Sequence, residues 1–503
     1  LARLRPDLRP FQEAQHACHA TQRTTSGEWL KDALVASAGR TAARSLGARF
    51  AETFNILDFG AQPNNPAFDN RASIQAALDA AYGAGGGLVE VPAGVYWMTG
   101  TGTASQGCIR IRSNTALRGA GAGVSVLKLV SGHNADLTGI LRTPSGEEHT
   151  KIQIMDVTLD ANGPGQASGT QMAFFCGTTP DDPPTTRCED IRLVRVEATG
   201  GKGSSGYGFD PHENVLRLAF INCVAHDNEL DGFVIDGCRE VVIEGCWSWA
   251  NGRHGYNFVT RSENNVISAS HAVENTGSGI VVQNGAARTM IQGCDVRAND
   301  EEGIYIRGDA TYGHNTHISV TGCHIIGNGR RGVRIAGASY NSLAMNRLVD
   351  NSQEANDGYD DIQLTSNDSV AATYNDVLLN IIHSTAANRS RYNIREEPSG
   401  GGDYNYFVGN RSSGCVNGTP QSVNGTETII FGVREPDFFF GRAASNRFFL
   451  ENSGRLRWGS ANAGLTVGAA GAAAAPPATP QIYLEVEDSA QNRLLVPAYN
   501  KPA

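Results

Sequence analysis

From residue 223 to residue 335, apolar and polar positions recur with a nearly constant step. Asn228, Asn251, Asn275, Asn299 and Asn328 each stand four residues before a glycine (Gly232, Gly255, Gly279, Gly303, Gly332), and the steps between the asparagines are 23, 24, 24 and 29 residues. Each glycine opens an alternating trio: Phe233-Val234-Ile235, Tyr256-Asn257-Phe258, Ile280-Val281-Val282, Ile304-Tyr305-Ile306 and Val333-Arg334-Ile335. The first and third positions are apolar while the middle one varies, the period-2 signature of a strand with one buried face. Short strands at this spacing, with polar turns and no helical pattern between them, predict an all-β parallel solenoid whose coils stack about 4.8 Å apart.

The stacking carries further expectations. The asparagines should form an internal hydrogen-bonded ladder at a bend. Five residues before each, Cys223, Cys246, Ser270, Cys294 and Cys323 should form a buried ladder of small, reduced side chains. The period extends less regularly over 151–163, 190–213, 340–367 and 374–399. Upstream, DNRASIQAALDAAYGAGGG (69–87) reads as a capped helix with Ile74, Ala77, Leu78 and Ala81 on one face, suited to covering the open end of the solenoid. From Asp437 the pattern changes, and 466–480 reads as a linker. The expected organisation is an N-terminal segment (1–50), a parallel β-helix domain (51–436) and a small C-terminal β-rich module (437–503).

Composition narrows the function classes. With 503 residues, 40% hydrophobic and 18% charged, the chain is not disordered as a whole. The longest weakly polar stretch, 467–478, is far short of the ~18 apolar residues of a membrane-spanning helix, so no membrane partner is expected. A net charge of −10 argues against nonspecific nucleic-acid binding. Ten cysteines in so long a chain do not make a disulfide scaffold. Leu1 and the lack of an apolar leader core suggest a mature or trimmed chain, and the sequons at Asn367, Asn388, Asn410, Asn417 and Asn424 suit secretion or the cell wall.

The coil before the regular ladder reads GYGFDPHE (206–213), with four ionisable side chains in seven residues. Aligning Gly208 with Gly232 and Gly255 puts His212 over Asp236, Tyr207 over Asp231 and His254, and Gly206 over Leu230 and Arg253. One face should therefore gather Tyr207, Asp210, His212, Asp231, Asp236, Arg253 and His254 within three coils. A histidine beside a carboxylate is raised in basicity, and a tyrosine can donate or accept a second proton. The same columns run on to Arg307, Arg331 and Arg334. Guanidinium groups in a stripe suit an extended polyanion with regularly spaced carboxylates.

On GYGFDPHE, VAHDNELDGFV (224–234) and ANGRHGYNFVT (250–260), with weaker similarity at NILDFGA (55–61), SIQAALDAAYGAGGG (73–87) and MDVTLDANG (155–163), the chain resembles the catalytic module of mannuronan C5-epimerases over about residues 53–400. That resemblance implies a right-handed single-stranded parallel β-helix, a lyase-like mechanism and alginate, an anionic polysaccharide, as partner. It matches Tyr207 and His212 to the proton-transfer pair, Asp210 and Asp236 to acidic positions of the cleft, and Arg253 to a substrate-binding arginine. Where the family pattern has a catalytic lysine, SGTQMAFF (168–175) holds Thr170; Lys202, Arg253 or a protonated Asp210 would take over, or activity is altered. No cofactor is expected; the family allows Ca²⁺, but no ligand set declares itself in the sequence.

The chemistry follows without the family. Removing the C5 hydrogen of a uronate requires its carboxylate to be neutralised, one group to take the proton and another to return one from the opposite face. If instead the C4 oxygen leaves, the same intermediate gives chain cleavage. C5-epimerase, polyuronate lyase and noncatalytic carbohydrate-binding solenoid are thus the three readings; a hydrolase is disfavoured for want of a paired acid and base across a glycosidic bond.

Overall fold

The computed structural model describes residues 52–177, 187–397 and most of 402–434, with short paired strands outside these ranges. The stack of turns predicted from the repeat is realised as three long parallel sheets, one per face of the coil. The first face runs from Thr53–Asn55 to Ile429–Arg434, the second from Gly94–Met98 to Arg411–Ser413, and the third from Ile109–Arg110 to Gln421–Ser422. Among the described residues the chain is a right-handed parallel β-helix, all-β apart from the helix Arg71–Gly83 and short 3-10 turns.

Each coil is held to the next by side-chain ladders as well as by the backbone. Inside the third face Phe209, Phe233 and Tyr256 stack with ring centroids 4.7 and 4.8 Å apart, and Ile280, Ile304, Val333, Ile362 and Ile394 continue the column at 0% exposure. The asparagine ladder forms as expected: Asn228, Asn251, Asn275, Asn299 and Asn328 each donate Nδ2 to the Oδ1 of the next asparagine at 2.9 Å, ending at Asn351. A chain of amides that all donate in one direction needs an acceptor at its end. Asn351 donates to Asp361 Oδ1 at 3.2 Å, a fully buried carboxylate whose pKa burial pushes up. The repeated glycine follows from the same ladder: a Cβ on Gly255 would lie 2.9 Å from Asn275 Nδ2 and 2.6 Å from Gly279 O. The cysteine column is buried and reduced.

A feature the repeat does not announce is the corner between the third and first faces. Asp190, Arg217, Glu240, Asn264, Arg288, His317, Tyr340, Tyr374 and Tyr404, one per coil, all adopt φ between 48° and 60°. Single left-handed residues turn the chain sharply there without glycine, a conformation only sparsely used by L-residues. Stacking offsets it: Asp190 accepts from Arg217 at 2.6 Å, and Tyr340, Tyr374 and Tyr404 stack at 5.0 and 5.1 Å.

The predicted helix spans Arg71–Gly83 and buries Ile74, Ala77, Leu78 and Ala81 against the first coils. The last parallel strand, Ile429–Arg434, continues into an antiparallel meander of Asp437–Arg442, Arg447–Leu450, Leu456–Ser460 and Ala463–Thr466, and a separate hairpin joins Ile482–Glu487 to Arg493–Ala498. Apart from Leu34–Val35 paired with Arg44–Ser45, the N-terminal segment lies outside the described residues, as do the sequence expected to be a linker (466–480) beyond Thr466 and the sequon at Asn424. Among the described residues no helix is long and apolar enough to cross a membrane.

Candidate active site

The third face carries the polar cluster. Strand Phe209–His212 pairs in register with Phe174–Gly177 before it and Phe233–Asp236 after it, which sets His212 opposite Asp236 and Asp210 opposite Phe175. Alternation then points Asp210 and His212 away from the core, while Phe209 points inward. His212 Nδ1 lies 3.6 Å from Asp210 Oδ1 and 3.4 Å from Asp236 Oδ2. These are ion-pair contacts longer than good hydrogen bonds, and the buried atoms Asp210 Oδ1 and His212 Nδ1 have no closer partner. Buried polar atoms left in this state are uncommon and mark places where a structure waits on chemistry or a ligand. Burial works against a charge on His212, but Asp210, chiefly, and Asp236 overcome it and raise its pKa from 6.5 to about 9. Burial also raises Asp236. The imidazole stacks on Phe175 with centroids 5.8 Å apart at 28°, and the buried guanidinium of Arg142 lies 4.7 Å from the centroid of the same ring. The stacking on Phe175 holds the imidazole with Nδ1 toward the two carboxylates.

Tyr207 stands at the start of the same coil, half-buried. Burial raises its pKa against the pull of Arg253, whose guanidinium is 5.7 Å from the ring centroid. Arg253 is itself held by Asp231 through Nε to Oδ1 and Nη2 to Oδ2, both 2.6 Å. Here the structure corrects an expectation. Asp231, expected at the substrate surface, is 0% exposed; its two oxygens are taken by Arg253, by the backbone N–H of His254 at 2.9 Å and by Asn257 Nδ2 at 2.9 Å. Its position in the turn just before an inward strand residue buries it, so it acts by placing Arg253. His254 likewise turns Nδ1 to accept from Ser278 N–H at 3.0 Å, and burial lowers its pKa.

Lys202 lies in the turn leading into this coil, where its backbone exchanges two 2.8 Å hydrogen bonds with Gln171. That pairing sets it beside Thr170, whose Oγ1 is 3.2 Å from Ser204 Oγ, but its ammonium makes no hydrogen bond or ion pair with the Tyr207–His212 cluster. Arg307, Arg331 and Arg334 fall further along the same face, in the columns counted from the sequence. Phe175, Arg142 and Asn257 were not singled out from the sequence. Asn257 could have been found by the column count, as the middle of a trio beside Val234; Phe175 lies 35 residues before Asp210, across a longer coil in which the count loses step. Among the described residues no group of three or more His, Cys, Asp or Glu side chains is arranged to hold a metal ion.

The fold and this cluster define a class: a right-handed parallel β-helix with histidine, carboxylate, tyrosine and arginine side chains gathered on one face. Residues 197–316 match the family described as right handed beta helix region. The mannuronan C-5 epimerase AlgE4 A-module of Azotobacter vinelandii is similar in structure, at 34% identity and a TM-score of 0.68 over 75% of this chain and 99% of that one. Two curated relatives from the same organism are mannuronan C5-epimerase AlgE2, 43% identical over 50% of this chain and 25% of that protein, and alginate lyase 7, 41% identical over 42% and 24%. The chain belongs to the mannuronan C5-epimerase A-module family. It spans about a quarter of the length of these curated relatives.

Proposed function

We propose that the protein epimerises β-D-mannuronate to α-L-guluronate within alginate by taking a proton from C5 and returning one to the opposite face. The observation that carries this reading is His212 held between Asp210 and Asp236 on the face where Tyr207 stands beside Arg253. Arg253, the cation beside Tyr207, neutralises the uronate carboxylate so that C5 becomes acidic. Of the two proton carriers, His212 gives up its proton first, at about 9, while burial holds Tyr207 above the ordinary phenol value. Neutral His212 as base and protonated Tyr207 as acid is the pairing that coexists between those two values. The neutral imidazole then takes the C5 proton, and the Tyr207 phenol delivers its own from the other face.

Polymannuronate incubated with the protein in deuterated water should gain deuterium at C5 together with guluronate signals in the NMR spectrum, and His212→Ala and Tyr207→Phe should abolish both with the fold intact. No exchange and no guluronate would refute the proposal. A second reading, β-elimination on the same scaffold, is favoured by the similarity to alginate lyase 7; it predicts chain shortening and ultraviolet absorbance from unsaturated ends. Saccharide binding that survives both substitutions, with no turnover, is the outcome for a noncatalytic solenoid. Action on a polysaccharide agrees with secretion or a place in the cell wall, which we propose as the site of action.

A further inference from the structure

On the first face, away from the acid–base cluster, the outer surface changes character along the helix. One outward row reads Glu244, Ser268, Gln292 and Thr321 in four successive coils, then Ala344, Leu378, Val408 and Phe431 in the next four. Outward positions of a strand pack against no core, so the fold itself does not call for the change. Large apolar side chains gather around the apolar half of that row. Tyr406 and Ile429 lie in the neighbouring row, and Met345, Leu379 and Ile381 along the edge toward the second face. The stacked tyrosines Tyr340, Tyr374 and Tyr404 border the edge toward the third face. With Phe431 these nine are 37–59% exposed, and they are nine of the sixteen exposed large hydrophobics among the described residues. Such a concentration differs from the single apolar residues scattered over any surface.

Area and charge say what fits the patch. At roughly 200 Å² per large side chain, nine at about half exposure present on the order of 800 Å², above the roughly 300–600 Å² of the largest patch on an ordinary monomer and close to what one partner gives to a standard protein interface. Asp376 stands inside the patch and Arg347 and Arg411 at its rim, and none of the three makes an ion pair among the described residues. Two cations beside a carboxylate and nine apolar side chains do not suit a polyanion, which needs a cation for each of its charges. A second copy of the chain brings the same apolar surface and the same charges of both signs. One patch can then cover another as the layers of a β-sandwich do, with an arginine of each copy available to Asp376 of the other.

We propose that the first face of the last four coils is a self-association surface through which two copies of the chain pair as an isologous dimer. The contact lies on a different face from the acid–base cluster and several coils further along, so pairing leaves that cluster open in both copies. The proposal does not depend on the reaction proposed above.

Sedimentation equilibrium of the full chain over a wide range of concentration tests it, beside Leu379→Glu/Tyr406→Glu, whose two positions are exposed and whose fold is checked by circular dichroism and thermal unfolding. The expected result is the mass of a dimer in the parent and, in the variant, a dissociation constant raised by about 100-fold or more, because the contact would bury new carboxylates without partners. Labelling of Leu379→Cys with a maleimide gives a second readout that stands even if the charged variant does not fold. The described native cysteines are all buried, so the introduced thiol reports on the patch, and its labelling should slow as concentration rises. A parent that stays monomeric at every concentration overturns the proposal, whether the thiol labels freely or is shielded, the latter being the result if residues 435–503 of the same chain cover the patch. A variant that associates as tightly as the parent, or labelling that ignores concentration while a dimer forms, overturns it as well, since the contact then lies elsewhere.

Discussion

Asp236→Asn isolates one of the two charges that hold the proton on His212. The rise from 6.5 to about 9 corresponds to about 3 kcal/mol in favour of the imidazolium, net of the burial that opposes it. Asp210 supplies the larger part and Asp236, 3.4 Å from Nδ1, much of the rest. Losing the Asp236 charge should lower the pKa of His212 by at least about one pH unit, or about 1.4 kcal/mol, and Asp210→Asn should lower it further. Titration of the His212 ring protons by NMR, assigned by difference against His212→Gln, reads this directly. If neutral His212 is the base, the rising limb of kcat/KM in any activity that remains must move to lower pH by the same amount. The sign for stability follows. Because the folded-state pKa is raised, the contribution of His212 is complete below about pH 6.5 and is lost as pH climbs through about 9. Asp236→Asn should shrink that loss. A His212 titration unchanged in both variants, or moved upward, would refute the electrostatic account of the site.

Three further outcomes follow from the geometry. Arg253→Ala leaves Asp231 buried without its cation, and should cost about 3 kcal/mol by denaturant titration, the low end for a broken buried pair because the guanidinium reaches solvent; Arg253→Lys should recover much of the stability but less of the turnover, because an ammonium cannot form the two-pronged contact. Asn275→Ala removes the middle of the amide ladder, taking from Asn251 the Oδ1 that accepts from both its Nδ2 and its backbone N–H and from Asn299 Oδ1 one of its two donors, so the urea midpoint should fall by the equivalent of about 2 kcal/mol. Ile74→Ala, at 0% exposure on the capping helix, should cost about 2–5 kcal/mol and speed amide exchange in the first coils before the later coils are affected.

Much of the site was legible in the amino-acid sequence because a solenoid turns position along the chain into position in space. Once Gly208, Gly232 and Gly255 are aligned, counting alone sets His212 against Asp236 and runs the columns on to Arg307 and Arg334, and the backbone register agrees. The asparagine and cysteine ladders, the parallel strands and the face of the capping helix follow from the same local periodicity. Counting gives neighbours, but it does not give burial. Whether a side chain at a coil corner reaches solvent depends on what the coils above and below present to it, and so Asp231 became an internal anchor for Arg253 and Glu302 a buried counter-charge for two arginines. Phe175 and Arg142 entered the site across a coil of irregular length, where the period no longer marks the register. The left-handed corner residues were equally silent, since nothing in Arg217, Tyr340 or Tyr374 as residue types favours positive φ. The sequence by itself determined which residues share a face of the helix; only the packing of one coil on the next decided which of them reach the surface and which are buried to hold their neighbours in place.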